Sequence, residues 1–127
     1  MPWMQSWRRT ERSCFCTTIA AITGAMGKDT LMGGAGRDII IGRGGSDYIS
    51  GGGGDDKLAG GGGHDRIRGG NGQDQIDGGT GNDRLFGDAG DDRLYGGGGN
   101  NVIDGGDGID IAREDMVDQL ISIETQI

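Results

Sequence analysis

From Leu31 to Ile103 a branched aliphatic residue returns at every ninth position: Leu31, Ile40, Ile49, Leu58, Ile67, Ile76, Leu85, Leu94 and Ile103, with Ala112 in the tenth place. Polar neighbours flank several of them, as in Arg66-Ile67-Arg68 and Gln75-Ile76-Asp77. Successive side chains of a strand point to opposite faces, so these triplets predict short strands that each send one side chain inward. A second column runs in phase two residues earlier: Asp29, Asp38, Asp47, Asp56, Asp65, Asp74, Asp83, Asp92, Asn101 and Asp110. Two columns locked together over ten units do not arise in a random polar linker.

The rest of each unit is dominated by glycine. All 31 glycines lie between Gly24 and Gly108, and they fall into ten nonapeptides that begin at Gly24 and end at Arg113, for example GGGGHDRIR from Gly60 and GGNGQDQID from Gly69. Gly is nearly fixed at the first and fourth places. There it permits positive φ and lets backbone carbonyls approach a ligand closely. A usage far above the typical ~7% suggests disorder when taken alone, and disorder is the expectation for the metal-free chain. Collagen is excluded, because no three-residue glycine period is present. A membrane-spanning helix is excluded, because no run reaches about 18 apolar residues.

The pattern Gly-Gly-x-Gly-x-Asp-x-aliphatic-x resembles the RTX family, the haemolysin-type calcium-binding nonapeptide repeat. The resemblance covers 90 of the 127 residues. It implies an all-β chain in which six residues of each unit form a turn and three a strand. Successive units then wind into a right-handed parallel β-roll, with two nonapeptides per coil and about five coils. At the usual strand separation such a stack is about 24 Å tall. The resemblance also implies Ca²⁺ sandwiched between stacked turns, bound by the sixth-column residues named above. Carbonyls of the Gly-rich loops would complete each site, which adds Gly33, Gly42, Gly51, Gly60, Gly69, Gly78, Gly87 and Gly96 to the candidate ligands. Five turns per edge allow up to about eight ions.

The charge fits such a partner. Twenty acidic against twelve basic side chains leave −8, so cations are the natural ligands, and nucleic acid and anionic membrane are disfavoured. Two carboxylates about 5 Å apart repel by roughly 0.8 kcal/mol even at the dielectric of water. A stacked column therefore needs neutralising, which predicts folding coupled to calcium. The site that Asn101 shares with Asp83 is expected to be the weaker one. Arg43 and Asp88 replace glycine in the second column, where the change is expected to matter less.

No catalytic pattern appears. His64 fills a variable loop position, neither HExxH nor GxSxG occurs, and Ile22 and Asp29 stand where a phosphate loop around Gly27-Lys28 needs Gly and Ser or Thr. No EF-hand loop occurs. The triplets Arg43-Gly44-Gly45 and Arg68-Gly69-Gly70 are in repeat phase and do not mark an RNA-binding tail. Cys14 and Cys16 are too close for an unstrained bridge and too few for zinc, and are read as incidental. The chain is not expected to be an enzyme.

The ends differ from the array. Residues 1–23 form a non-repeat leader, helical or disordered, with a faint likeness to a signal peptide in its basic stretch and short apolar run. Residues 114–127 regain apolar density, and Leu120-Ile121-Ser122-Ile123-Glu124 looks like a closing strand that covers the last coil. By the resemblance, this tail is also a candidate part of a type I secretion signal. The product would be extracellular, secreted from a Gram-negative bacterium, and fold on meeting calcium. The alternatives are an accessory segment of a larger secreted protease, lipase, alginate epimerase or toxin, and a structural or adhesive surface protein.

Overall fold

The computed structural model describes residues 13–15, 21–113, 119–121 and 125–126. They contain strands and turns and no helix. The strands are β1 (Ser13–Phe15), β2 (Ala21–Thr23), β3 (Thr30–Gly34), β4 (Ile39–Gly44), β5 (Tyr48–Gly53), β6 (Lys57–Gly62) and β7 (Arg66–Asn71). There follow β8 (Gln75–Thr80), β9 (Arg84–Ala89), β10 (Arg93–Tyr95), β11 (Val102–Asp104), β12 (Ile111–Arg113), β13 (Gln119–Ile121) and β14 (Thr125–Gln126). Odd-numbered strands make one seven-stranded sheet and even-numbered strands the other.

All pairings along the array are parallel, with partners 18 residues apart, such as Ile49 with Ile67 and Leu58 with Ile76. One coil is thus two nonapeptides, and the repeats form a β-solenoid of about five turns. Each unit contributes its aliphatic side chain to one core between the sheets, with one file from each sheet. Ile22, Leu31, Ile40, Ile49, Leu58, Ile67, Ile76, Leu85, Leu94, Ile103 and Ala112 are all at most 2% exposed. Ile22 belongs to this core although it precedes the glycine array, and it sits nine residues before Leu31.

Strands β4 to β9 are six residues long, not the three that the resemblance implies. The ladder continues into the next unit because its first glycine has no side chain to push the coils apart. A Cβ on Gly60 would lie 2.7 Å from the carbonyl oxygen of Gly78 in the following coil.

Glycine at the first and fourth places was expected to permit positive φ; all ten fourth-column glycines adopt it, Gly63 (φ 109°) among them, and none of the first column does. Left-handed backbone also runs through most of the second column. Arg43 (φ 83°) and Asp88 (φ 72°) therefore hold a conformation that disfavours a Cβ, so their departures from glycine matter more than the sequence indicates.

The backbone ladders run past the repeats at both ends. β1 pairs with β3, β2 with β4, β13 with β11 and β14 with β12. Most of the expected leader, including the signal-like run, lies outside the described residues. So do Cys16, residues 114–118 and residues 122–124 of the expected cap. Among the described residues no helix is long and apolar enough to cross a membrane.

Candidate metal centre

The sixth residue of each unit ends the turn just before the strand begins. The glycine loop wraps it there, and no member of the column is more than 3% exposed. Its two carboxylate oxygens have different surroundings. Oδ1 reaches back one coil and accepts the backbone N–H of the stacked residue. Asp29 N–H donates to Asp47 Oδ1, Asp47 N–H to Asp65 Oδ1, Asp56 N–H to Asp74 Oδ1 and Asp65 N–H to Asp83 Oδ1, each at 2.8 Å. The adjacent peptides complete the stitch: Tyr48 N–H donates to the Asp29 carbonyl at 2.9 Å and Arg66 N–H to that of Asp47 at 2.8 Å. The structure stacks the column as the sequence reading expects, on two edges. Asp29, Asp47, Asp65, Asp83 and Asn101 lie on one, and Asp38, Asp56, Asp74, Asp92 and Asp110 on the other.

Oδ2 is the oxygen that remains. In Asp47, Asp56, Asp65, Asp74 and Asp92 it is buried with no hydrogen-bond partner. A buried polar atom left unmatched costs about 1–3 kcal/mol, more if charged, so five of them require an explanation. Each of these oxygens points toward the first-column glycine of its own unit. The place a Cβ would take on Gly60 is flanked by Asp65 Oδ2 and by the Gly78 carbonyl oxygen of the next coil, and Gly51 has the same environment from Asp56 and Gly69. Carboxylate and carbonyl oxygens thus converge at each turn, at the glycines expected to supply ligands.

The electrostatics oppose ionisation of the stacked column. Burial pushes the carboxyls of Asp56, Asp65 and Asp92 up to about 7 and that of Asp74 to about 6, and raises Asp47 as well. The N–H bond to Oδ1 opposes the shift, and neighbouring carboxylates reinforce it.

The donor set decides which metal fits. Among the described residues no three His, Cys, Asp or Glu side chains come together. A tetrahedral zinc centre built on side chains has no basis here. Stacked carboxylates with backbone carbonyls suit a hard cation that accepts six to eight oxygens in flexible geometry, which describes Ca²⁺.

Two departures change the local chemistry. Asn101 accepts the Asp83 N–H through Oδ1 but carries an amide nitrogen in place of the second oxygen, 3.4 Å from the Gly97 carbonyl. In the first unit Ala25 lacks the left-handed backbone, and its N–H donates to Asp29 Oδ2 at 2.9 Å.

A third column went unnoticed in the sequence because its residue types vary. Fifth-place side chains cap the N–H of the fifth residue one coil on: Asn82 N–H donates to His64 Nδ1 at 2.8 Å, and Asn100 N–H to Asn82 Oδ1 at 2.9 Å. His64 thus has a structural task on an exposed turn. The recurrence of Asp, Asn, Ser or His at this place was the available signal.

A family model described as the RTX calcium-binding nonapeptide repeat, in four copies, matches residues 23–58, 50–85 and 77–112. No curated protein and no solved structure matches the chain.

Proposed function

The chain belongs to the RTX calcium-binding nonapeptide repeat family, and from that membership we propose that it is a calcium-binding module whose β-roll closes when its turns are loaded. The observation that carries this reading is the set of buried, unpartnered Oδ2 atoms in Asp47, Asp56, Asp65, Asp74 and Asp92, each beside a converging carbonyl. The sixth-column residues would hold the ions with the first-column carbonyls from Gly33 to Gly96, in up to about eight sites. Bound calcium supplies positive charge that removes the repulsion along each column.

The chain's own residues do the rest. The glycines permit left-handed turns, Oδ1 fixes the spacing between coils, and the aliphatic file excludes water from between the sheets. Without the ions that file is a small core for so many Gly-rich residues, each of which loses conformational freedom on ordering. Folding would then follow export from calcium-poor cytosol to a millimolar exterior, by type I secretion, with the roll serving as a non-catalytic folding or stabilising element.

The test is far-UV circular dichroism of the full chain in chelator and then in millimolar calcium. A strand signal that grows with calcium is expected, and a signal indifferent to calcium would overturn the reading.

A further inference from the structure

The two edges of the roll are not equivalent. Turns leading into β4, β6, β8, β10 and β12 stack on one edge, here called even, and those leading into β3, β5, β7, β9 and β11 stack on the other. The even column is aspartate throughout, whereas the odd column ends in Asn101. The fifth-column residues widen the difference. On the odd edge the caps are neutral, from Ser46, His64 and Asn82. On the even edge they are Asp55 and Asp91, whose Oδ1 atoms accept the N–H groups of Gln73 and Ile109 at 2.9 Å.

Counting every charge in the turns, the even edge has five column carboxylates with Asp55, Asp88, Asp91 and Asp107 against Arg37, or −8. The odd edge has four column carboxylates against Lys28 and Arg43, or −2. Setting aside Asp88, which Arg68 holds at 2.8 Å, the even edge still carries −7. Three of the buried, unpartnered Oδ2 atoms, those of Asp56, Asp74 and Asp92, lie on this edge. A polar groove of about 350 Å³ runs along this edge, lined by Asp55, Asp56, Asp74 and Asp91 and also by Arg37, Lys57 and Arg93. Lys57 and Arg93 stand on the strands after the turns, where the odd edge carries Arg66 and Arg84, so they leave the difference between the edges unchanged. Arg37 does little to offset it, standing 3.9 Å from Asp55 in an exposed pair.

We propose that the roll takes up calcium in two classes, the even edge filling at lower calcium concentration than the odd. This rests on the calcium reading above and concerns only the order of loading. The extra carboxylates flank the sites without completing them. A single charge about 10 Å from a divalent ion in water favours its binding about fourfold, so two such charges give roughly tenfold at low ionic strength, shrinking as salt screens them. The even edge then forms first and serves as the template on which the odd edge closes, because every coil passes through both.

Calorimetric calcium titration of the full chain, in low salt and in 0.5 M salt, where the Debye length falls to about 4 Å, tests this. Two classes are expected, drawing together in high salt. Asp74→Asn should remove ions from the tight class and Asp65→Asn from the weak one. The double variant Asp55→Asn/Asp91→Asn should bind as many ions as the parent, with its tight class weakened roughly tenfold. Both positions are exposed and asparagine keeps the Oδ1 acceptor, so this variant remains informative if Asp74→Asn does not fold. A single class of sites, or a tight class lost through Asp65→Asn, would overturn the order while leaving calcium binding intact. No uptake at millimolar calcium would overturn both.

Discussion

On the proposed reading Asp65 and Gly60 shape one site between them. The carboxylate is buried, its Oδ1 is committed to the Asp47 N–H at 2.8 Å, and its Oδ2 occupies the space beside the Gly60 Cα. A methyl group on Gly60 would meet that oxygen and, at 2.7 Å, the Gly78 carbonyl. We expect Gly60→Ala to remove about one ion from the calorimetric count and to destabilise the loaded roll by about 1–3 kcal/mol, the range for overpacking. An unchanged ion count would show that the cradle lies elsewhere. The glycine was visible in the sequence as a fixed column. Its reason was not, since it is required by an oxygen one coil away and not by its own φ.

At the scale of the element, each of strands β3 to β12 contributes one buried side chain and a ladder on either side. Ile67 is fully buried, with Ile49 and Leu85 as its cross-strand partners. Ile67→Ala should cost about 2–5 kcal/mol in the loaded state, because each strand sends only one side chain into the core and little else can fill the gap. Calcium-dependent thermal unfolding checks this, and a loss below 1 kcal/mol would mean that the file is not the core. The positions of the strands were legible in the sequence, because a period of nine with an aliphatic centre fixes them. Their length was not. Three residues carry the pattern, but the backbone pairs for six wherever absent side chains let the coils stay close. Ile22 was missed for a related reason: without the glycine and aspartate columns nothing marks its phase, and only pairing with β4 places it.

For the whole molecule the dominant fact is buried charge of one sign. Carboxyls raised to about 7 in Asp56, Asp65 and Asp92, and to about 6 in Asp74, bind protons in the folded metal-free chain that the unfolded chain, near its ordinary value of 3.8, does not. Their protonation favours the fold below about pH 4, and this contribution is lost as pH rises through 6 to 7. The metal-free protein should therefore show more strand signal by circular dichroism at pH 5 than at pH 8, with the difference vanishing in saturating calcium. Equal strand signals at both values in chelator, at a level above that of the urea-unfolded chain, would contradict the burial of these groups. On the proposed reading protons and calcium would act on the same oxygens, which would tie the stability of the roll to its ionic surroundings.

The sequence by itself determined the period, the inward aliphatic file, the aspartate column and the oxygen-only chemistry, because each depends on residue types repeating within one unit. Tertiary structure decided the relations between units. It assigned left-handed backbone to the second and fourth columns, separated the stitched Oδ1 from the unpartnered Oδ2, and gathered alternate units into edges of −8 and −2. The physical reason is that these contacts join residues 18 apart, and no unit contains both partners until the coil has closed.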